Sequence, residues 1–153
     1  MKSSLLITGG LGYVGSFTAK NYLEKTKRKS IVIDNLSRGN NFAKKYSKSK
    51  IIDISNRNIK KIIEKEKIDI VLHLASLTCV RESITNRKRY FTNYKSQIQF
   101  IKNIKKTGVK YFIFSSSLSV FEKNKFKKNL SPYSMYKLKI EGYLKRISSP
   151  NFK

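Results

Sequence analysis

The sequence predicts a doubly wound α/β fold, a parallel sheet of about five strands with helices on both faces. Three observations predict it. Short runs of Ile, Val and Leu alternate along the chain with longer segments whose apolar residues recur every three or four positions. The short runs are nearly continuously apolar, as suits strands buried on both faces of a sheet. Between the first such run and the first helical segment lies a glycine-rich turn, Gly9 to Gly15.

Each element follows in order. Ser4 to Thr8 is the first strand, and Ser16 to Glu24, with Phe17, Tyr22 and Leu23 at helical spacing, is the first helix. Ile31 to Ile33 is the second strand, closed by Asp34-Asn35, and Ser37 to Ser49 is a polar loop with a helical turn. Ile51 to Ile54 makes the third strand. Asn58 to Lys67 places Ile59, Ile62 and Ile63 on one helical face, and Ile68 to Ala75 is the fourth strand. Asn86 to Lys106 carries Tyr90, Tyr94, Ile98, Ile101 and Ile104 at helical intervals and ends near Gly108. Tyr111 to Phe114 is the fifth strand, Lys123 to Asn129 a charged loop, and Pro132 opens a last helix running to Ile147. No repeat or linker divides the chain, so residues 1–153 are expected to form one domain.

With 39% hydrophobic residues the chain can bury a core without metal or disulfide staples. Its one cysteine, Cys79, has no partner for a disulfide and no clustered ligands for zinc, which suggests a reducing cytoplasm and no metal site. Leu5 to Ile7 is too short for a signal core or a membrane span, so no membrane partner is expected. The net charge of +25 has the sign of a nucleic-acid binder. The excess is mostly lysine, however, spread from Lys44 to Lys145 and mixed with Ile, Asn, Tyr and Phe, as AT-rich codons produce. No specific nucleic-acid partner is expected from charge alone.

Gly9, Gly12 and Gly15 stand three apart, directly after a strand and before a helix. Glycines so placed let the backbone turn tightly and approach a pyrophosphate, which the helix N-terminus stabilises with free N–H groups. Asp34 ends the second strand about twenty residues later, where a carboxylate accepts ribose hydroxyls and repels a 2′-phosphate. That favours NAD over NADP, although Arg38 nearby suits the opposite reading. Asp53 has two readings, an adenine contact or a helix cap. Tyr133 and Lys137 lie four apart on one helix face, with Ser115-Ser116-Ser117 upstream at a strand end. A phenol with a reference pKa of about 10 is a poor base at neutral pH, but an adjacent ammonium and a cationic nicotinamide favour its deprotonation.

In their order along the chain, Thr8-Gly9-Gly10-Leu11-Gly12-Tyr13-Val14-Gly15-Ser16, Asp34-Asn35-Leu36-Ser37-Arg38-Gly39, Val71-Leu72-His73-Leu74-Ala75, Phe112 to Ser117, and Ser131-Pro132-Tyr133 with Lys137 resemble the UDP-glucose 4-epimerases. These belong to the extended short-chain dehydrogenase/reductases, with a Rossmann-like fold. The resemblance runs the full chain. It implies Tyr133 as catalytic base, Lys137 as its activator and ribose ligand, and Ser117 as partner of the sugar hydroxyl. It implies NAD contacts from Gly9, Gly12, Tyr13, Val14, Gly15, Asp34, Asn35, Asp53, Ile54, Leu74, Ala75 and Asn93 as well as Tyr133 and Lys137. His73 is read as structural. In such enzymes NAD⁺ takes a hydride from carbon 4 of a UDP-hexose while the tyrosine takes the hydroxyl proton. The 4-keto sugar then turns and receives the hydride on its other face, interconverting UDP-galactose and UDP-glucose.

The pattern departs at several places. Thr78 stands where a lysine is common, Glu122 replaces a glycine, and the Ser37–Lys50 and Ser117–Tyr133 connections are short. Leu118, by contrast, stands where sugar-nucleotide dehydratases usually carry an acid, which keeps the resemblance on the epimerase side. Family members are about twice as long, so the resemblance implies an N-terminal half lacking the C-terminal substrate domain, the sixth strand and most of the UDP pocket. Phe126 and apolar residues of the last helix are then expected to be partly exposed. A homodimer or a complementing subunit is the expected partner beside the UDP-sugar. Two alternatives stay open: a catalytically weak or inactive NAD-binding remnant, and another sugar-nucleotide epimerase.

Overall fold

A computed structural model of the protein describes residues 4–121 and 130–153. Glu122, the loop expected at 123–129 and Phe126 lie outside the described residues. The order is β1 (Leu5–Thr8), α1 (Tyr13–Thr26), β2 (Ser30–Asp34), β3 (Ser47–Ile51), α2 (Ile59–Lys65), β4 (Ile70–His73), α3 (Val80–Thr85), α4 (Arg87–Lys105), β5 (Tyr111–Phe114) and α5 (Pro132–Ile147). Short 3-10 turns at Asn41–Tyr46 and Leu118–Phe121 complete the list.

The five strands form one sheet in the order β3-β2-β1-β4-β5, every pair parallel. The chain winds outward from β1 to β3 and then returns to the other side of β1 for β4 and β5. The order therefore reverses between β1 and β4, and a crevice opens at the carboxyl ends of those two strands. Thr8 stands level with Ile33 and His73, and His73 with Phe114, so these four residues mark the rim of the crevice.

Side chains alternate between two cores, as the period of a strand requires. Leu6, Ile31, Ile33, Val71 and Phe112 pack with Ile59 and Ile63 of α2, Phe100, Ile101 and Ile104 of α4, and Ile140 of α5. Ile7 and Val32 pack with Leu11, Ala19 and Ala43 on the opposite face. Within α1 the buried residues are the small Gly15 and Ala19, while Phe17 is exposed, so this helix docks through its smallest side chains. In α5 the apolar side chains Ile140, Tyr143, Leu144 and Ile147 join the core, and Leu138 is its one exposed large hydrophobic.

The third strand differs from the expected Ile51–Ile54: it is Ser47–Ile51. As an edge strand it is open on one side, so it needs no apolar run, and Lys48 and Lys50 are exposed. Ile52 and Ile54 instead turn into the core after the strand has ended. The expected polar loop before it is a 3-10 turn whose first N–H groups are capped by Asn40, which accepts from Phe42 N–H. Helix α3 was not foreseen. It is six residues long, too short for its periodicity to show.

Candidate functional site

The glycine turn wraps over the carboxyl end of β1. Gly9 has φ +66, and a Cβ there would meet the Ala75 nitrogen at 2.8 Å, so only glycine lets β1 and the segment after β4 come together at this point. A Cβ at Gly15 would stand 2.4 Å from the Gly9 carbonyl oxygen, which is why α1 can start immediately against the turn. Gly12 is the N-cap of α1 and offers no side-chain cap. The first-turn N–H groups, which a helix cannot satisfy itself, therefore face outward from the turn. Tyr13 and Val14 project into solvent there.

Asp34 is buried and ties β2 to this turn: its carboxylate accepts from Leu11 N–H at 3.0 Å and from Leu36 N–H at 2.8 Å. Each oxygen keeps a second lone pair. Asn35 and Asp53 meet at the ends of β2 and β3, the Asn35 amide donating to Asp53 at 2.7 Å. Burial pulls the Asp53 carboxyl up, but the hydrogen bonds from Ser55 and Asn35 outweigh it and leave it below the usual range. The Ile54 side chain is in the core. Thr8 holds Leu74 and Ala75, accepting from their N–H groups at 3.2 and 3.1 Å.

Tyr133, Lys137 and Asn93 line one cleft between α4, α5 and the segment after β4, together with Ser76, Leu77 and Gln97. Ser131 caps α5 by accepting from Ser134 N–H, and Pro132 takes the first helical position. Four residues on, Lys137 is buried beneath Tyr133, its ammonium 5.9 Å from the phenol ring centroid and donating to the Ser115 carbonyl at 2.7 Å. Burial pushes the Lys137 amine down to about 8, with Glu141 pulling partly back. Glu141 in turn accepts from the Ser116 hydroxyl.

Ser117 does not line this cleft; it belongs to a chain of hydroxyls. Ser134 donates to Ser119 at 2.9 Å, and Ser119 and Ser117 are 2.9 Å apart. Having accepted from Ser134, Ser119 can pass its own proton to Ser117, whose oxygen also receives Ser119 N–H at 3.3 Å. That leaves the Ser117 proton free to be donated outward. Ser119 and Ser134 were missed in the sequence because serines at such spacing carry no periodic signal.

His73 is buried in the core among the rings of Phe100, Phe112 and Phe114, at centroid distances of 5.0, 5.6 and 6.1 Å, with Thr8 Oγ1 2.7 Å from its Nδ1. Burial and the Lys137 charge push its imidazole down to about 3. Arg38 is committed to Glu82 at 2.5 Å, which Arg89 also contacts, and it lies 3.5 Å from Thr78 Oγ1. Among the described residues no group of three or more His, Cys, Asp or Glu side chains converges on a common point, and no helix is long and apolar enough to cross a membrane.

A family model described as the NAD dependent epimerase/dehydratase family matches residues 5–151. UDP-glucose 4-epimerase of Yersinia enterocolitica is 35% identical over 95% of this chain and 48% of its own length. The UDP-Glc/GlcNAc 4-epimerase of Campylobacter jejuni superposes with a TM-score of 0.88 at 32% identity, over 99% of this chain and 51% of that one. UDP-glucose 4-epimerase from Brucella ovis, solved in complex with NAD, gives 0.86 at 26% identity, over 95% and 47%. The chain thus spans about half the length of the relatives it matches.

Proposed function

The chain belongs to the NAD dependent epimerase/dehydratase family, and on that footing we propose that it is the NAD-binding part of a UDP-glucose 4-epimerase-like enzyme, interconverting UDP-galactose and UDP-glucose through a transient 4-keto sugar. The observation that carries this is the cleft bringing Tyr133, Lys137 and Asn93 together beside the switch point of the sheet.

The residues fit the cofactor. Gly9, Gly12 and Gly15 leave no side chain over the turn, and the uncapped start of α1 at Tyr13 and Val14 suits a pyrophosphate. The spare lone pairs of Asp34 suit ribose hydroxyls, and Asn35 with Asp53 and the Ile54 main chain border the adenine side. Leu74 and Ala75 floor the crevice. Arg38, engaged by Glu82, sets a positive charge beside Thr78, the position where the family resemblance implies a lysine. When bound, NAD⁺ supplies the hydride acceptor.

The protein's own residues handle the proton. Tyr133, as the phenolate, accepts it from the sugar hydroxyl, and the buried Lys137 ammonium stabilises that phenolate before it takes the proton. Ser117, its oxygen filled by Ser119, donates to the sugar oxygen. A coupled assay of UDP-galactose conversion tests this reading: turnover by the purified chain with NAD⁺, cut on the order of a hundredfold or more by Tyr133→Phe. Equal rates for the two proteins would contradict it.

A second reading, a cofactor-binding unit without turnover of its own, is favoured by the outer edge of β5, which is set to pair with a further strand. Phe112 N–H donates to the Lys153 carbonyl at 2.7 Å and Lys153 N–H to the Lys110 carbonyl at 2.8 Å, the pattern of a parallel strand beginning there. Beside it a cavity of about 410 Å³ is lined by Phe112, Leu144 and Phe152. Turnover appearing only when a separately expressed C-terminal half of a relative is added selects this reading.

A further inference from the structure

Thr8 determines where the proton of His73 sits. Its hydroxyl oxygen accepts from Ala75 N–H at 3.1 Å and shares Leu74 N–H, at 3.2 Å, with the Thr8 carbonyl, which receives it at 3.1 Å. The hydroxyl proton is then the only link left for the 2.7 Å contact to His73 Nδ1. Nδ1 accepts, so the neutral ring carries its hydrogen on Nε2. Among the described residues, His73 Nε2 and Gln97 Oε1 are both buried without a hydrogen-bond partner, and Gln97 lies near enough to act on the imidazole. One is a donor and the other an acceptor.

The other end of the Gln97 amide is fixed as a consequence. Its Nε2 donates to Asn93 Oδ1 at 2.7 Å and reaches Ser76 Oγ at 3.5 Å. Asn93 Oδ1 also receives Leu77 N–H at 3.4 Å. An amide's two ends are told apart by their partners, and here two donors hold the Asn93 oxygen inward, which leaves its NH₂ as the end offered to the cleft.

We infer that Thr8, His73, Gln97 and Asn93 form one polarised hydrogen-bond chain, in which His73 and Gln97 are positioning residues that aim the Asn93 amide donor at the nicotinamide half of the dinucleotide. This rests on the cofactor reading above. The chain links the floor of the glycine turn to the cleft of Tyr133 and Lys137 through the core, so it fixes a specific donor without using a charged group.

Two substitutions and one spectrum test it. Gln97→Met keeps the shape and removes both hydrogen bonds. Gln97→Glu accepts from His73 but cannot donate, so Asn93 turns its NH₂ inward and presents oxygen to the cleft. Calorimetric titration is expected to show NAD⁺ binding weakened about tenfold in each variant, the effect of one hydrogen bond. ADP, which fills only the adenosine side, binds all three proteins equally. A general structural defect would weaken both ligands alike and would overturn the inference, as would unchanged NAD⁺ affinity. Nitrogen-15 spectra of the wild-type imidazole report the tautomer without any ligand: hydrogen on Nε2 is expected, and hydrogen on Nδ1 refutes the chain even if a variant fails to fold. A wild-type protein that binds ADP but not NAD⁺ refutes the aiming of Asn93, whereas one that binds neither refutes the cofactor reading itself.

Discussion

At the scale of single residues, the site is assembled from groups held in conformations or protonation states that they would not choose alone. Gly9 sits at φ +66 with Ala75 against the place a Cβ would occupy. Gly9→Ala is therefore expected to cost about 2 kcal/mol of stability, measured by urea unfolding, because the backbone strain and the collision act together. His73 is held neutral, its imidazole pushed down to about 3 by burial and by Lys137, against an ordinary value of 6.5. Between those two values the unfolded chain binds the extra proton and the folded one does not. Stability should accordingly fall as pH drops from 6.5 towards 3, and the slope should be reduced in His73→Leu, most clearly above the range where the Asp53 carboxyl begins to bind protons. Urea titrations of both proteins at several pH values across that window measure the difference. An undiminished slope in the variant would place the acid sensitivity elsewhere.

At the scale of elements, the start of α5 does two things at once: Ser131 caps the helix and Ser134, one turn in, begins the hydroxyl chain towards Ser117. Ser131→Ala should cost about 1 kcal/mol, and Ser131→Asp should restore most of it, since any N-cap oxygen satisfies the Ser134 N–H. Thermal unfolding of the two variants checks this. The elements built on apolar runs or helical periodicity were legible in the sequence: β5 and α4 lie where Tyr111–Phe114 and the spacing of Tyr90, Ile101 and Ile104 put them. What escaped was governed by context. β3 is polar because it is an edge, and α3 is shorter than the period that would reveal it. The site divides the same way. Gly9 and Gly15 were readable because backbone geometry restricts them to glycine, and Asp34 because a carboxylate stands out at the end of an apolar strand. Gln97, Ser119 and Ser134 were not, because a hydrogen-bond chain needs positions in space and leaves no spacing rule in the sequence.

At the scale of the whole molecule, the reversal of strand order between β1 and β4 gathers the parts. It sets the glycine turn, the carboxylate of Asp34 and the cleft of Tyr133 and Lys137 around one crevice, although they come from opposite ends of the chain. The net charge of +25 adds a general attraction for anions but no selectivity among them. On the function proposed above, selectivity comes from Asp34, a buried carboxylate suited to ribose hydroxyls and opposed to a 2′-phosphate, while Arg38, the cation that would welcome one, is held by Glu82. The most direct measurement is a calorimetric titration of the chain with NAD⁺ and, separately, NADP⁺. One NAD⁺ is expected to bind per chain, with NADP⁺ at least about tenfold weaker and the preference lost in Asp34→Asn. No binding of NAD⁺, or tighter binding of the more highly charged NADP⁺, would contradict that expectation.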